Sequence, residues 1–496
     1  MTKVNSLRHP KTTIILYGNY YPINLMPKKI RTRIAPSPTG NLHLGTARAA
    51  LFNYLFAKQQ GGAFILRIED TDLKRSAKKF EQNIIDGFLW LGILWDEGPD
   101  PQKPEKYIGN LGPYRQTQRN YQPHIEKLLK EKKAFWCWHS KEELETEKQL
   151  QLKNKEPQRH LCAHFIDGQP QGNKEPGIIR LKNNGGQIKF GDLIRGKIEF
   201  DTSLLGDISI ARDKQTPLYN LAVVIDDAEM EISHVIRGED HISNTPKQIL
   251  IYQALGLDIP KFAHLPLLLG PDRAKLSKRH GATSITEFRD QGYLPEALVN
   301  FMALLGWNPG DQREIFSLEQ LTSEFSLAQV HKGGAVVNLD KLKSINSFYL
   351  KQKSPEDLRQ EAGIPKNIPL KAVRLAQERA TTLAETASLA TAIIKESDYE
   401  QKLLLWKEST APEIKKNLKV AYQILNALSE QSFATEELKA VLLPAAEKTG
   451  DRGAFLWPLR VALSGKKQSP PPFDLAEIWG KQKSLKKIKQ AIDKLK

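Results

Sequence analysis

The sequence predicts a multidomain α/β protein. Its frame is a Rossmann-type, doubly wound parallel sheet, interrupted by an inserted α+β domain and followed by an all-helical C-terminal region. Three observations predict it. Apolar strand-like runs alternate with amphipathic helical stretches from about residue 30 to 112, and again from about 216 to 262. Between these stretches the pattern breaks into short strand-like pieces and isolated helices. After about residue 285 helical periodicity is nearly continuous. A chain of 496 residues has room for three or four domains with cores of their own. The boundaries read as an extension over 1–29, a first sheet half over 30–112, an insertion over 113–215 and a second half over 216–262. A further segment over 263–350 then precedes a helical region over 351–496 in two subdomains.

Taken in order, residues 1–25 carry Lys3, Arg8 and Lys11 and a short apolar patch, Thr13–Tyr17, too short for a secretory signal. Met26 stands just before Pro27-Lys28-Lys29, so 1–25 read as a disordered upstream extension; the lack of acidic residues keeps a transit peptide open. A strand, Arg33–Ala35, runs into a turn broken by Pro36, Pro38 and Gly40. A helix then begins near His43 and carries Ala47, Ala50, Leu51, Tyr54 and Leu55. Strand, tight turn and helix start present backbone N–H groups to an anion. Ala63–Ile68 is a buried strand ending at Glu69-Asp70, and Lys78–Leu91 a helix with Phe80, Ile84, Ile85, Phe88 and Leu91 on one face.

The insertion holds helices Tyr121–Lys130 and Glu142–Lys153 and strands Gly177–Leu181 and Lys197–Phe200. Leu221–Ile225 is expected to be a strand ending at Asp226-Asp227, and His234–Arg237 another, followed by a helix opening at Thr245-Pro246. Later helices are expected over Pro295–Leu305, Leu339–Tyr349, Leu370–Ala384, Ile414–Leu428 and Glu437–Leu443. The tail after Gly480 holds seven lysines and one acid, Asp493.

The formal net charge of +16 suggests a polyanionic partner. Two cysteines, Cys137 and Cys162, exclude a disulfide framework and fit a reducing compartment. No apolar run approaches the ~20 residues of a membrane helix.

Some residues carry chemistry. His43 and Thr46 sit in the first helical turn, where a phosphate would face them. Glu69 and Asp70 lie beyond a strand's carboxyl end, where such sheets bind ligands, although Asp70 or Asp72 could instead cap a helix. Arg237, also at a strand end, has the fork geometry for a carboxylate or phosphate. Lys275-Leu-Ser-Lys278-Arg-His-Gly281 reads as a mobile cationic loop able to neutralise a triphosphate. Cys137-Trp-His139 and Cys162-Ala-His164 offer four ligands that tetrahedral Zn²⁺ accepts, against a plain reading of buried cysteines beside incidental histidines.

Together these blocks resemble a known family. Pro38-Thr-Gly-Asn-Leu-His43-Leu-Gly45-Thr46 resembles the HIGH signature of class I aminoacyl-tRNA synthetases, and Lys275–Arg279 their KMSKS loop. Arg33–Gly40, Arg67–Asp72, Gly112–Gln116, His234–His241 and Gly292–Leu298 resemble the bacterial-type glutamyl-tRNA synthetases, in order, from about Ile30 to the C-terminus. The resemblance implies ATP-dependent activation of L-glutamate, with Mg²⁺, and its transfer to the 3′-terminal ribose of tRNA(Glu), with activation requiring bound tRNA. It implies that His43, Thr46, Lys275 and Lys278 stabilise the ATP phosphates, with Gly45, Glu239, Leu276 and Ser277 also at the nucleotide. Arg33 and Arg237 would pair the two glutamate carboxylates, Glu69 the ammonium, and Ala35, Ser37 and Tyr219 would line the amino-acid pocket.

The resemblance also implies a structural zinc on Cys137, His139, Cys162 and His164, with His139 where relatives carry cysteine. Arg379 matches an arginine that reads the anticodon, although a solvated helix arginine looks the same. Trp406, Trp457 and Trp479 could stack on bases or pack between helices. A monomeric, cytoplasmic enzyme is expected. The competing readings are a glutaminyl enzyme, a short paralogue that modifies tRNA, a form that also charges tRNA(Gln), and a catalytically inactive tRNA-binding paralogue. Helices in place of a β-barrel anticodon region oppose the first, the ~150 helical C-terminal residues oppose the second, and the intact His43, Lys275 and Lys278 oppose the last.

Overall fold

The computed structural model describes residues 29–166, 169–170 and 177–495; the extension expected over 1–29 lies, but for Lys29, outside them. The chain opens with β1 (Arg31–Ile34), α1 (Leu44–Gln59), β2 (Ala63–Leu66) and α2 (Lys78–Trp90). β1 and β2 pair in parallel, Arg31 opposite Ala63 and Ile34 opposite Leu66, which is the βαβ unit expected. His43 caps α1: its side chain accepts from the Gly45 amide, filling one of the bonds a helix start leaves open. α1 is buried on most sides, with Leu44, Ala47, Ala50, Leu51 and Leu55 sealed from solvent.

A short antiparallel pair, β3 (Gly98–Pro99) and β4 (Tyr107–Ile108), leads to α3 (Gln122–Lys130), β5 (Ala134–Cys137) and α4 (Lys141–Lys153). The small pair β6 (Phe165–Ile166) and β7 (Gln169–Pro170) precedes β8 (Ile178–Leu181), β9 (Gln187–Asp192), β10 (Gly196–Asp201) and β11 (Ile208–Ala211). Then come α5 (Tyr219–Glu229), β12 (His234–Gly238), α6 (Thr245–Leu255) and β13 (Lys261–Leu265).

Strands β5, β8 and β11 form the insertion's own antiparallel sheet. The β9–β10 hairpin does not join it. It extends the catalytic sheet in the order β10-β9-β13-β12, with Phe262 opposite Asp192. β12 lies beside β1, where Ser233 N donates to Arg31 O at 3.0 Å and Arg31 N donates to Ser233 Oγ at 2.8 Å. The two parallel pairs separated in sequence, β1–β2 and β12–β13, thus lie side by side in space.

Leu221–Ile225, expected as a strand, is the middle of helix α5. The run from Leu221 to Asp227 is buried on every side, packed between α6 and the insertion sheet. A helix with no solvated face shows no polar period, so its sequence cannot be told from a buried strand.

The rest is helical. β14 (Leu268–Leu269) pairs in parallel with β15 (Ala335–Val336) around α7 (Ile285–Asp290), α8 (Pro295–Leu304) and α9 (Leu318–Glu324). α10 (Leu339–Gln352), α11 (Pro355–Glu361), α12 (Leu370–Gln377) and α13 (Leu383–Ile394) share one core with the catalytic sheet. The helix expected over Leu370–Ala384 is therefore two: the first ends at Gln377, and Thr382 caps the second by accepting from Glu385 N. α14 (Ala411–Ala427), α15 (Thr435–Glu447), α16 (Arg452–Ser464) and α17 (Pro472–Lys494) form a second bundle around Leu418, Leu442, Leu459 and Ile488.

Candidate active site

A cleft of about 530 Å³ opens at the carboxyl ends of β1 and β12, where an open α/β sheet binds its ligands. Arg33, Ala35, Ser37, Glu69, Tyr219 and Arg237 line one part. His43, Gly45, Thr46, Lys275 and Leu276 line the other. Residues about 230 positions apart in sequence thus meet across one cavity.

Beneath the first part lies a buried charge network. Arg67, fully buried on the strand end after β2, donates from Nη1 to Asp227 Oδ1 at 2.6 Å and from Nη2 to Glu69 Oε1 at 3.2 Å, and its Nε lies 3.6 Å from Asp226 Oδ2. Arg119 pairs with Asp226 at 2.7 Å and with the more exposed Glu229. Arg33 holds Asp227 through Nε and Nη2, both at 3.1 Å, which leaves its Nη1 for a ligand. Three arginines face three buried carboxylates, and the set is neutral. Burial opposes ionisation of Asp227, but Arg33 and Arg67 outweigh it and hold its pKa below the usual range. At Glu69 burial wins and the pKa is raised. Sequence reading missed Arg67, Arg119 and the two aspartates as parts of the site; the visible signal was Arg67 two residues before Glu69.

Arg237 is different. Only 6% exposed, it makes no ion pair among the described residues, and its Nη1 is buried without a hydrogen-bond partner. It is a surplus positive charge beside the pocket.

In the other part, His43 accepts from Gly45 N through Nδ1 at 3.1 Å. Burial lowers its pKa more than Glu287 raises it. A neutral ring that accepts at Nδ1 carries its proton on Nε2, ready to donate to a phosphate oxygen. Lys275 is exposed and reaches Asp240 at 3.3 Å. Leu276 is buried in the main core and anchors the loop, while Ser277 N donates to His280 Nδ1 at 3.1 Å. Lys278 opens a short turn, Lys278–His280; its side chain lies outside the described atoms. Glu239, expected at the nucleotide, does not line the cleft: it accepts from Leu267 N at 2.8 Å and pairs with Arg195.

Residues 29–344 match the family described as tRNA synthetases class I (E and Q), catalytic domain, and residues 341–492 match the anticodon binding domain. The chain belongs to the class I tRNA synthetases (E and Q). This synthetase is 42% identical over 486 residues to the glutamate–tRNA ligase of Carboxydothermus hydrogenoformans, across 92% of this chain and 99% of that one. It is 41% identical over 488 residues to glutamate–tRNA ligase 2 of Caldicellulosiruptor saccharolyticus, across 94% and 99%. The crystal structure of a glutamate tRNA ligase from Elizabethkingia meningosepticum, in complex with its amino acid, matches with a TM-score of 0.82 and 32% identity, covering 94% of this chain and all of that one.

In the synthetase's insertion, Cys137, His139, His160 and Cys162 bring their ligand atoms within 4.8 Å of one another. His160 takes the place expected for His164. The ring of His164 lies tilted against Trp138, centroids 3.9 Å apart, and against His139, and its Nδ1 reaches Cys162 at 3.4 Å. His160 points Nε2 at Cys137 Sγ, 3.5 Å away, while its Nδ1 meets Glu147 at 2.5 Å. The sulfur–nitrogen separations of 3.4, 3.5 and 3.6 Å match the roughly 3.5 Å edge expected of a tetrahedron built on zinc bond lengths. The donors fit zinc. The missed signal was a histidine two residues before Cys162.

In the synthetase's helical region, Arg379 lines a pocket with Leu375, Leu389, Lys466 and Pro470. The three tryptophans pack rather than wave free: Trp406 donates to Asp451, Trp457 to Leu403 O and Trp479 to Leu463 O. No helix among the described residues is long and apolar enough to cross a membrane.

Proposed function

We propose that this synthetase is a glutamate–tRNA ligase whose pocket matches each charged group of glutamate with an opposite one. The carrying observation is Arg237, a buried cation with no ion pair among the described residues, on the same cleft as Arg33 and Glu69. Glutamate brings two carboxylates and one ammonium, which call for two cations and one carboxylate. Arg237 Nη1 and Arg33 Nη1 take the carboxylates, and Glu69 takes the ammonium.

The α-carboxylate attacks the α-phosphorus of ATP, a P–O bond forms, and the bond between the α- and β-phosphates breaks as pyrophosphate leaves; Mg²⁺ would neutralise charge on the phosphates. The terminal ribose hydroxyl of tRNA(Glu) then attacks the carbonyl carbon, and AMP leaves. No side-chain nucleophile is needed. His43 Nε2–H, the α1 start at Gly45 and Thr46, and Lys275 with Lys278 stabilise charge as it develops on the phosphates. Arg379 contacts an anticodon base. A structural Zn²⁺ on Cys137, His139, His160 and Cys162 would tie β5 to the 160–162 loop and supply no chemistry to the reaction. The enzyme works as a monomer in the cytoplasm.

The test is glutamate-dependent ATP–pyrophosphate exchange, expected only when tRNA is present. No exchange under those conditions overturns the reading. Charging of purified tRNA(Glu) and tRNA(Gln) in parallel separates the discriminating from the non-discriminating form.

A further inference from the structure

Arg237 is a buried guanidinium held without a carboxylate. Its Nε donates to His264 Nε2 at 3.3 Å and its Nη2 to Thr245 Oγ1 at 2.9 Å. Thr245 Oγ1 lies 3.1 Å from His264 Nε2, which closes a ring of three side chains. Behind the ring stands Asp192, whose Oδ2 meets His264 Nδ1 at 2.6 Å. Asp192 also accepts from the amides of Ile194, Arg195 and His264, at 2.9, 2.7 and 3.1 Å. His264 and Asp192 are both buried, on β13 and β9.

These contacts decide the proton positions. A carboxylate accepting this many bonds is ionised and acts as an acceptor, so Nδ1 of His264 carries the ring proton. Nε2 then has a bare lone pair, which is what Arg237 Nε and the Thr245 hydroxyl require. Burial keeps His264 neutral. The arrangement grips Arg237 without neutralising it. A carboxylate at position 264 would cancel the charge, as Asp227 does for Arg33; a cation there would repel it.

We propose that His264, with its proton fixed by Asp192, is a positioning residue for amino-acid binding. It sets the plane of Arg237 and leaves Nη1 free and fully charged for a substrate carboxylate. This rests on the glutamate reading above. Neither residue touches the cleft.

The test is the tRNA-dependent exchange assay with the full chain, titrating glutamate and ATP separately. His264→Leu removes the acceptor and His264→Gln keeps a neutral one. Asp192→Asn lets the ring turn a proton toward Arg237. Leucine and Asp192→Asn should raise KM for glutamate about 10- to 100-fold, the range for losing one hydrogen bond to a buried charge. KM for ATP and kcat should stay within about twofold, and His264→Gln should recover most of the loss. Asp192→Asn added to His264→Gln should then change KM for glutamate by less than about twofold, because the two act through one ring. If leucine fails to fold, the glutamine and asparagine variants decide alone. Unchanged KM for glutamate, a glutamine variant as poor as the leucine one, or KM for both substrates rising together overturns the proposal. Wild-type protein without exchange overturns the glutamate reading, and this one with it; active wild type with unaffected variants overturns this one alone.

Discussion

Arg67→Met removes the central cation of the buried network while keeping most of its volume. Arg67 is fully buried and serves Asp227 at 2.6 Å, Glu69 at 3.2 Å and Asp226 at 3.6 Å. Without it, Arg33 and Arg119 face three carboxylates, and the buried set carries −1. Removing one partner of a buried ion pair costs about 3–5 kcal/mol, because the remaining charges lose compensation without regaining water. Three partners share this cation, which places the loss at the upper end. Relief comes from a proton on Glu69, whose pKa burial already raises against the pull of Arg67. Its folded value then climbs further above the unfolded one. A raised carboxylate pKa destabilises the fold above it and ceases to do so below, so the gap between wild type and variant should narrow as the pH falls. Arg67→Lys keeps the charge but not the three-way fork, and should lose less. The assay is urea unfolding followed by tryptophan fluorescence, at several pH values between 5 and 8. A loss under about 1 kcal/mol, a gap that does not change with pH, or a lysine variant as poor as the methionine one would show that the network is not coupled as described.

Two further expectations concern the other halves of the molecule. His43→Ala removes one donor from developing phosphate charge and should lower kcat for exchange about 100-fold with little change in KM for glutamate. With the pKa of His43 lowered, the wild-type rate should stay flat through the ordinary histidine range and fall only below it, and a drop centred near 6.5 would contradict the neutral-ring donor. In the insertion, His160→Ala should abolish stoichiometric zinc in metal analysis while His164→Ala retains it; Glu147→Gln, losing the carboxylate behind His160, should weaken zinc about 10- to 100-fold in chelator competition. Zinc kept by the His160 variant and lost by the His164 variant would restore the ligand set expected from sequence.

What could be read in the sequence was set locally. The proline- and glycine-broken turn before His43 dictates a strand, a cap and a helix start, and that geometry appears as expected. Of the residues that line the cleft, His43, Thr46, Glu69 and Arg237 were legible because each lies at a strand end or helix start, while Ala35, Ser37 and Tyr219 came from the resemblance alone. Three features were not legible. α5 hides its period because Leu221 to Asp227 are buried all round, so Asp226 and Asp227 could not be seen as partners of Arg67 and Arg119. His160, which completes the Cys/His cluster, was masked by a more regular spacing at His164, whose ring packs against Trp138 and His139. The place of Asp192 depends on which sheet its hairpin joins, a choice made by contacts with β13 about 70 residues away.

That hairpin also decides where the protein can be cut and rejoined. A graft or deletion designed from chain order alone would lift out 113–215 as one cassette. It would carry away β9 and β10, strip the edge of the catalytic sheet and leave His264 without its aspartate. The portable piece is smaller and discontinuous. It consists of β5, β8 and β11 with their helices, and the two strands threaded between β8 and β11 belong to the recipient rather than to the transplant.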